Sequence, residues 1–174
     1  LSFPQNRITD PEGFEKTSSW TYTGITVDTT PTDLKYDLRG VGYPWMDLIK
    51  ETAVTSVHSV KQTVGVFGQA MVLQVYGRTD GSLTRTKCFI RLSSLDGTNT
   101  VRAIYDIDTG VVSGVTTTGA GAHTSSSCTT NGVIGLCVLS CSIPNDGDSV
   151  IAEYGIASDA TTISYLGGIA NGVL

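Results

Sequence analysis

The chain has 174 residues, a formal net charge of −5 and a pI near 4.8. This length suits one domain that can bury a core without disulfides or metals. The 11 Lys and Arg residues are scattered, so the sequence offers no basic patch for a nucleic acid or an anionic membrane surface. No apolar run approaches the roughly 18 residues that a membrane span needs, so membrane insertion is not expected.

Composition favours β structure. The chain has 25 Thr and 20 Gly residues, and only 16% of its residues are charged. Threonine is β-branched and suits a half-exposed strand face, while glycine supplies tight turns. Frequent turn signals between short apolar runs predict about ten short strands.

The first 19 residues are polar and contain Pro4, Pro11 and Gly13, which indicates an N-terminal arm or linker. Residues 20–174 are predicted to form one domain. Its first strand is expected at Trp20–Val27, where large and small residues alternate. No signal-peptide pattern is visible.

Residues 45–53 fit two structures. Pro44 could occupy the first position of a short helix, with Leu48, Ile49 and Ala53 on one side. The strand-like neighbours favour a strand from Met46 to Thr52.

The middle of the chain reads as a series of strands. Val57–Val66 is one, and Gln69–Gly77, apolar at nearly every position, is predicted to be a core strand buried on both sides. Lys87–Leu92 and Val101–Ile107 are predicted to form a hairpin through Asp96-Gly97, and Asp80-Gly81 is a second turn signal.

The last third contains a low-complexity stretch and an apolar one. Thr116–Thr130 is almost entirely Thr, Ser, Gly and Ala, and fits a long loop or an edge strand. Val133–Ile143 is strongly apolar and is predicted to be central in its sheet. Strands at Ser149–Ile156 and Thr161–Leu166 close the domain. The expected fold is all-β, an antiparallel β-sandwich of jelly-roll type.

The four cysteines, Cys88, Cys128, Cys137 and Cys141, form no C-x-x-C pair. Cys137 and Cys141 would face the same side of one strand but lie too far apart for a disulfide. They are interpreted as small buried hydrophobes. A disulfide from Cys128 to Cys137 or Cys141 is the alternative, and zinc ligand spacing is lacking.

Candidates for catalysis are weak. His58 lies within a strand, where a packed, hydrogen-bonded role is favoured over that of a general base. Asp106 and Asp108 flank a turn, where aspartate commonly forms the turn itself. Asn145–Asp148 has oxygen ligands that could hold a structural calcium, but it also fits a tight turn. The sequence therefore predicts no enzyme, no catalytic residue, no metal site and no cofactor.

Several motifs together resemble a known module. They are Trp20 at the first strand, then Leu48-Ile49 with Glu51 and His58, the Tyr76-Gly77-Arg78 element, the Tyr105–Gly110 turn, and Asn131-Gly132-Val133. Over roughly residues 14–174 the chain resembles the jelly-roll, carbohydrate-binding-like module of phage tail fibres, tailspikes and related virion appendages. Val133 stands where that pattern has an aromatic residue.

The resemblance implies a virion protein, assembled in the host cytoplasm, that recognises a host-surface glycan or polysaccharide without catalysis. Aromatic rings that could stack on sugars and one arginine are the candidate glycan-binding residues: Tyr43, Trp45, Trp20, Tyr22 and Arg78. The alternative is a structural role as a head-decoration or fibre subunit that self-associates. Other virion proteins and further copies of the chain, in a trimer for example, are then its partners.

Overall fold

The computed structural model describes residues 18–28, 35–36, 42–43, 48–65, 70–78, 85–132, 134–144, 149–168 and 172–173. All strand pairs in these ranges are antiparallel, and the described residues contain no helix. The prediction of an all-β antiparallel sandwich is confirmed. Of the predicted N-terminal arm, only Ser18 and Ser19 fall within the described ranges.

The described strands follow one another along the whole chain. In order they are β1 (Thr21–Thr23), β2 (Ile25–Asp28), β3 (Lys35–Tyr36), β4 (Gly42–Tyr43), β5 (Leu48–Glu51), β6 (Thr55–Gly65), β7 (Ala70–Arg78), β8 (Lys87–Ser94), β9 (Thr100–Asp106), β10 (Val111–Thr118), β11 (Ala122–Thr130), β12 (Ile134–Ser142), β13 (Ser149–Ile156), β14 (Ser164–Leu166) and β15 (Gly172–Val173).

Two sheets form the sandwich. The larger has the order β1-β6-β13-β8-β9-β10, with β14 added beside β6, and the smaller has the order β11-β12-β7. Strand β6 pairs with β13, β7 with β12, and β9 with β10. Strands β6 and β7, from the first half of the chain, thus pair with β13 and β12 from its second half. Strand β8 pairs with β13 and β9.

The core fills the space between these two sheets. Buried side chains from both sheets form one cluster, which includes Val60, Ile90, Tyr105, Leu139 and Tyr154. The hydroxyl of Tyr105 donates to the carbonyl oxygen of Val138 at 2.8 Å and so links the sheets. Burial raises the pKa of Tyr105 above its ordinary range.

A second, smaller cluster lies on the opposite face of the large sheet. Phe89 and Ile104 pack there against Ala157 and Ile163. Asp159 stabilises the loop between β13 and β14, because its carboxylate accepts hydrogen bonds from the backbone N–H groups of Thr161 and Thr162. These bonds hold the pKa of Asp159 below its ordinary value.

The predicted first strand divides at Gly24. This residue has φ +61°, a conformation that glycine adopts without strain, and it separates β1 from β2. Strand β1 joins the large sheet, whereas β2 joins a small sheet of order β15-β5-β2. In the stretch that fitted strand or helix, Leu48–Glu51 forms the strand β5, so the helical alternative is wrong there.

One strand differs from its predicted environment. Residues 69–77 were expected in a doubly buried core strand, but β7 ends the order β11-β12-β7, and Val72 is 62% exposed. Met71, Leu73 and Val75 pack on the core, and the alternate side chains face outward. An apolar run predicts a strand but does not by itself establish that both faces are covered.

The other predictions for this region are confirmed. Strand β12 is central, between β11 and β7, and the Thr/Ser-rich stretch forms the end of β10 and the edge strand β11. The Asp96-Gly97 hairpin joins β8 to β9, with Gly97 at φ +74°. The Asp80-Gly81 turn lies outside the described residues.

Candidate functional site

The most distinctive surface is the outward side of the three-stranded sheet. No Asp, Glu, Lys or Arg occurs between Asp108 and Asp146, a stretch that includes all of β11 and β12. We call the outward-facing residues of this sheet the uncharged face. Among the described side chains they include Val72 and Gln74 of β7, Leu136, Val138 and Ser140 of β12, and Ser125, Ser127 and Thr129 of β11. The side chains of Tyr76 and Arg78, at the next alternate positions of β7, lie outside the described structure.

Strand alternation produces this face. Cys137, Leu139 and Cys141 point into the core, so the residues between them point outward. The register then aligns side chains in rows across the sheet. One row is Val72, Ser140 and Ser125, and the next is Gln74, Val138 and Ser127.

The uncharged face ends at the edge strand β11. Strand β11 has nine residues and contains neither proline nor a charged side chain. Within the described part of the chain its ladder partner is β12 alone. Edge strands normally carry charges, prolines or bulges that prevent pairing with other chains, and of these β11 has only a register shift between His123 and Ser125. This sheet therefore has both a face and an edge suited to contact with another protein surface.

The predicted glycan-binding residues do not form one described site. Trp20 is only 7% exposed and belongs to the core, and Tyr22 is half-buried against that core. The backbone of Tyr43 lies in β4 and that of Arg78 in β7, but their side chains are outside the described structure. Trp45 lies wholly outside the described residues.

A shallow polar cavity lies beside β1. It has a volume of about 410 Å³ and is lined by Ser18, Ser19, Thr21, Gln62 and Thr63. The side chain of Gln62 donates to the carbonyl oxygen of Ser19 at 3.1 Å, which fixes one wall. Hydroxyl and amide groups of this kind form hydrogen bonds with sugar hydroxyls.

His58 is the centre of a buried polar group that we call the His58 cluster. Its ring is fully buried, with Nδ1 2.5 Å from the carbonyl oxygen of Gly24 and Nε2 3.1 Å from that of Tyr165. Added Cβ atoms at Gly24 and Gly167 would lie 2.9 Å or less from this ring. The prediction of a packed, hydrogen-bonded histidine is confirmed.

Glu51 completes the His58 cluster. Its buried carboxylate accepts hydrogen bonds from the Tyr165 hydroxyl at 2.6 Å, the Gly168 N–H at 2.8 Å and Arg85 Nε at 3.1 Å. Burial, followed by the bond to Glu51, raises the pKa of Tyr165 above its ordinary range. Arg85 also pairs with Glu51 and lies over the Tyr165 ring.

A second buried carboxylate lies on the outer side of the large sheet. Glu153 is 3% exposed and accepts bonds from Ser59 Oγ at 2.5 Å and Arg91 Nε at 2.6 Å. Both buried carboxylates are thus neutralised and held by residues of the same chain.

The remaining catalytic and metal candidates have structural roles or lie outside the structure. Asp106 binds Lys87 Nζ at 2.6 Å and accepts a bond from the Thr109 N–H, as a turn former would. Asn145–Asp148 lies outside the described residues. In the described ranges no group of three or more His, Cys, Asp or Glu residues could hold a metal ion. Nor is any described helix long and apolar enough to cross a membrane.

Sequence reasoning missed the uncharged face. The low complexity of Thr116–Thr130 was recognised, but the longer charge-free stretch around it was not used. That stretch, together with the alternation of β12, was a signal that could have identified this surface.

The chain matches no protein-family model, and no curated protein is significantly similar to it.

Proposed function

We propose that the chain is a non-catalytic structural module of a phage virion, and that its uncharged face binds a second copy of the chain. The observation that carries this proposal is the absence of charge from the described side chains of an exposed face, which is bordered by an edge strand without charge or proline. The jelly-roll-type sandwich and the resemblance to phage appendage modules support the assignment to a virion.

Charge explains why a second copy is the proposed occupant. Each chain carries a net charge of −5, so most orientations of two copies bring like charges together. The described residues of the uncharged face add no such repulsion, and none of them carries an ion that contact would desolvate. Depletion of charge is also what distinguishes the centres of protein interfaces from ordinary surface.

The chemistry of the face fits this role. Exposed Val72 and half-buried Leu136 and Val138 supply apolar area, and the serine hydroxyls beside them can donate or accept across a contact. Two uncharged faces packed against each other form a two-fold dimer, whereas a trimer requires this face of each copy to contact a different surface of the next. A fibre or head-decoration subunit must bind further copies of itself, and this role requires no reactive group.

The test compares two lysine substitutions of similar exposure. Val72, 62% exposed, lies on the uncharged face, whereas Leu95, 56% exposed, lies in the β8–β9 hairpin. Sedimentation velocity should show oligomers for the wild type and Leu95→Lys, and a shift to monomer for Val72→Lys. Equal association of the two variants would refute this face as the contact.

Recognition of a host-surface glycan is the second candidate function. The polar cavity beside β1 favours it, because its hydroxyl and amide groups can bond sugar hydroxyls. Trp20 and Tyr22 pack on the core and do not line this cavity. Tyr43, Trp45 and Arg78 remain predicted contributors.

A glycan array with the full chain tests this second function. Selective binding that is lost in Thr21→Ala or Trp45→Ala would support it, with Leu95→Lys as the control expected to retain binding. No binding by a folded wild type would leave self-association as the function.

A further inference from the structure

Three of the four cysteines meet inside the sandwich. Cys128 of β11 and Cys137 of β12 are direct cross-strand partners, and their sulfurs are 3.3 Å apart. Cys88 of β8, in the other sheet, places its sulfur 3.8 Å from that of Cys137. All four cysteines are free thiols in this structure.

We propose that Cys128 and Cys137 form an intramolecular disulfide when the protein meets a low-molecular-weight disulfide oxidant. Directly paired residues of antiparallel strands have Cα atoms about 4.5–5.5 Å apart, within the range that a disulfide spans. Closing the bond needs side-chain rotation and an approach of the sulfurs, without a change of strand register. The proposal does not depend on the function proposed above.

Access determines the order of the reaction. Cys137 and Cys88 are fully buried, whereas Cys128 is half-buried. Cys128 therefore reacts first. Its thiolate attacks one sulfur of the oxidant RSSR and releases one RSH, which leaves a mixed disulfide on Cys128. Cys137 then loses its proton, attacks the Cys128 sulfur and expels the second RSH. Two protein thiols are oxidised and one RSSR is reduced to two RSH.

The surroundings of Cys128 slow the reaction of its thiol with the oxidant. The hydrogen bond with Cys137, followed by burial, raises the pKa of the Cys128 thiol well above its ordinary value. Thiolate is the reactive form, so closure accelerates as pH rises. The pair thus stays reduced in a cytoplasm and closes on longer exposure to an oxidising medium.

Peptide mapping tests the pairing. The folded full-length chain is incubated with oxidised glutathione, its remaining thiols are alkylated, and it is digested with chymotrypsin under non-reducing conditions. Cleavage after Leu136 and Leu139 separates Cys128, Cys137 and Cys141. We expect a linked Cys128–Cys137 peptide in the wild type and in Cys141→Ser, and its loss in Cys128→Ser.

Other results overturn the assignment. They are a Cys88–Cys137 link as the main product, a glutathione adduct that persists on Cys128, or no closure in a chain that circular dichroism shows to be folded. Oxidation of urea-unfolded chain provides the reference for pairing without the native fold. A distribution in the folded protein no different from that reference would also contradict the proposal.

Discussion

His58 Nδ1 lies 2.5 Å from the carbonyl oxygen of Gly24, a contact between residues 34 positions apart in the chain. Through it the junction of β1 and β2 is attached to the buried strand β6. The other ring nitrogen contacts the carbonyl oxygen of Tyr165, at the edge where β14 joins the sheet. One imidazole therefore connects three separate segments of the chain.

Replacement of His58 by alanine should destabilise the fold by about 2–4 kcal/mol, because it leaves a cavity and two buried carbonyl oxygens without this partner. Chemical denaturation measures the change. The control is His123→Ala, since His123 is exposed and contacts Ser126 on its own strand. We expect that variant to lie within about 0.5 kcal/mol of the wild type. Equal stability of the two variants would contradict the role assigned to the His58 cluster.

Removal of Arg91 should cost more than removal of Lys87. Arg91→Ala leaves the buried Glu153 carboxylate with Ser59 but without its cation, and we expect a loss of about 2–3 kcal/mol. Lys87→Ala removes a cation from Asp106, which is more exposed and also bound by backbone, and should cost about 1 kcal/mol or less. Urea denaturation of both variants checks the order, and a larger loss for Lys87→Ala would be inconsistent with it.

Stability should fall in mild base. Burial raises the pKa of the Cys141 thiol from 9.0 to about 11, so the folded protein holds this proton more tightly than the unfolded chain does. The resulting stabilisation is complete below pH 9.0 and is lost as pH rises towards about 11. Denaturation of the reduced protein across this window should show the decline, with a shallower slope in Cys141→Ala. An identical slope in the variant would exclude Cys141 as a contributor.

The oxidised protein should be more stable than the reduced one. A Cys128–Cys137 disulfide closes a short loop, for which chain entropy gives about 2–3 kcal/mol. Thermal unfolding of the wild type with and without reductant measures this difference. The same comparison in Cys128→Ser should show no gain. A gain of equal size in that variant would place the effect in another cysteine pair.

Much of the fold follows from local sequence. Gly97 and Gly110 adopt the positive φ values that their turns require, and the apolar run of β12 lies at the centre of its sheet as predicted. The local sequence pattern does not show which face of a strand will be covered by other residues. Val72 and Leu73 are both aliphatic neighbours, yet the second packs on the core and the first is exposed.

Polar pairs between distant segments could not be predicted from the sequence either. Glu51 and Arg85 are 34 positions apart, and only the meeting of their segments beside Tyr165 converts two ordinary charges into a buried ion pair. Trp20 was predicted to stack on a sugar because it is an aromatic residue at the start of a strand. Its ring instead belongs to the core. Both outcomes depend on tertiary packing.

The most direct measurement for the central claim is sedimentation velocity of the wild-type chain over a concentration series at low and high salt. An uncharged contact between copies that each carry −5 predicts oligomers that persist or strengthen as salt screens the repulsion between them. A monomer at every concentration would contradict self-association, and oligomers that dissociate in high salt would assign the contact to charged surface instead.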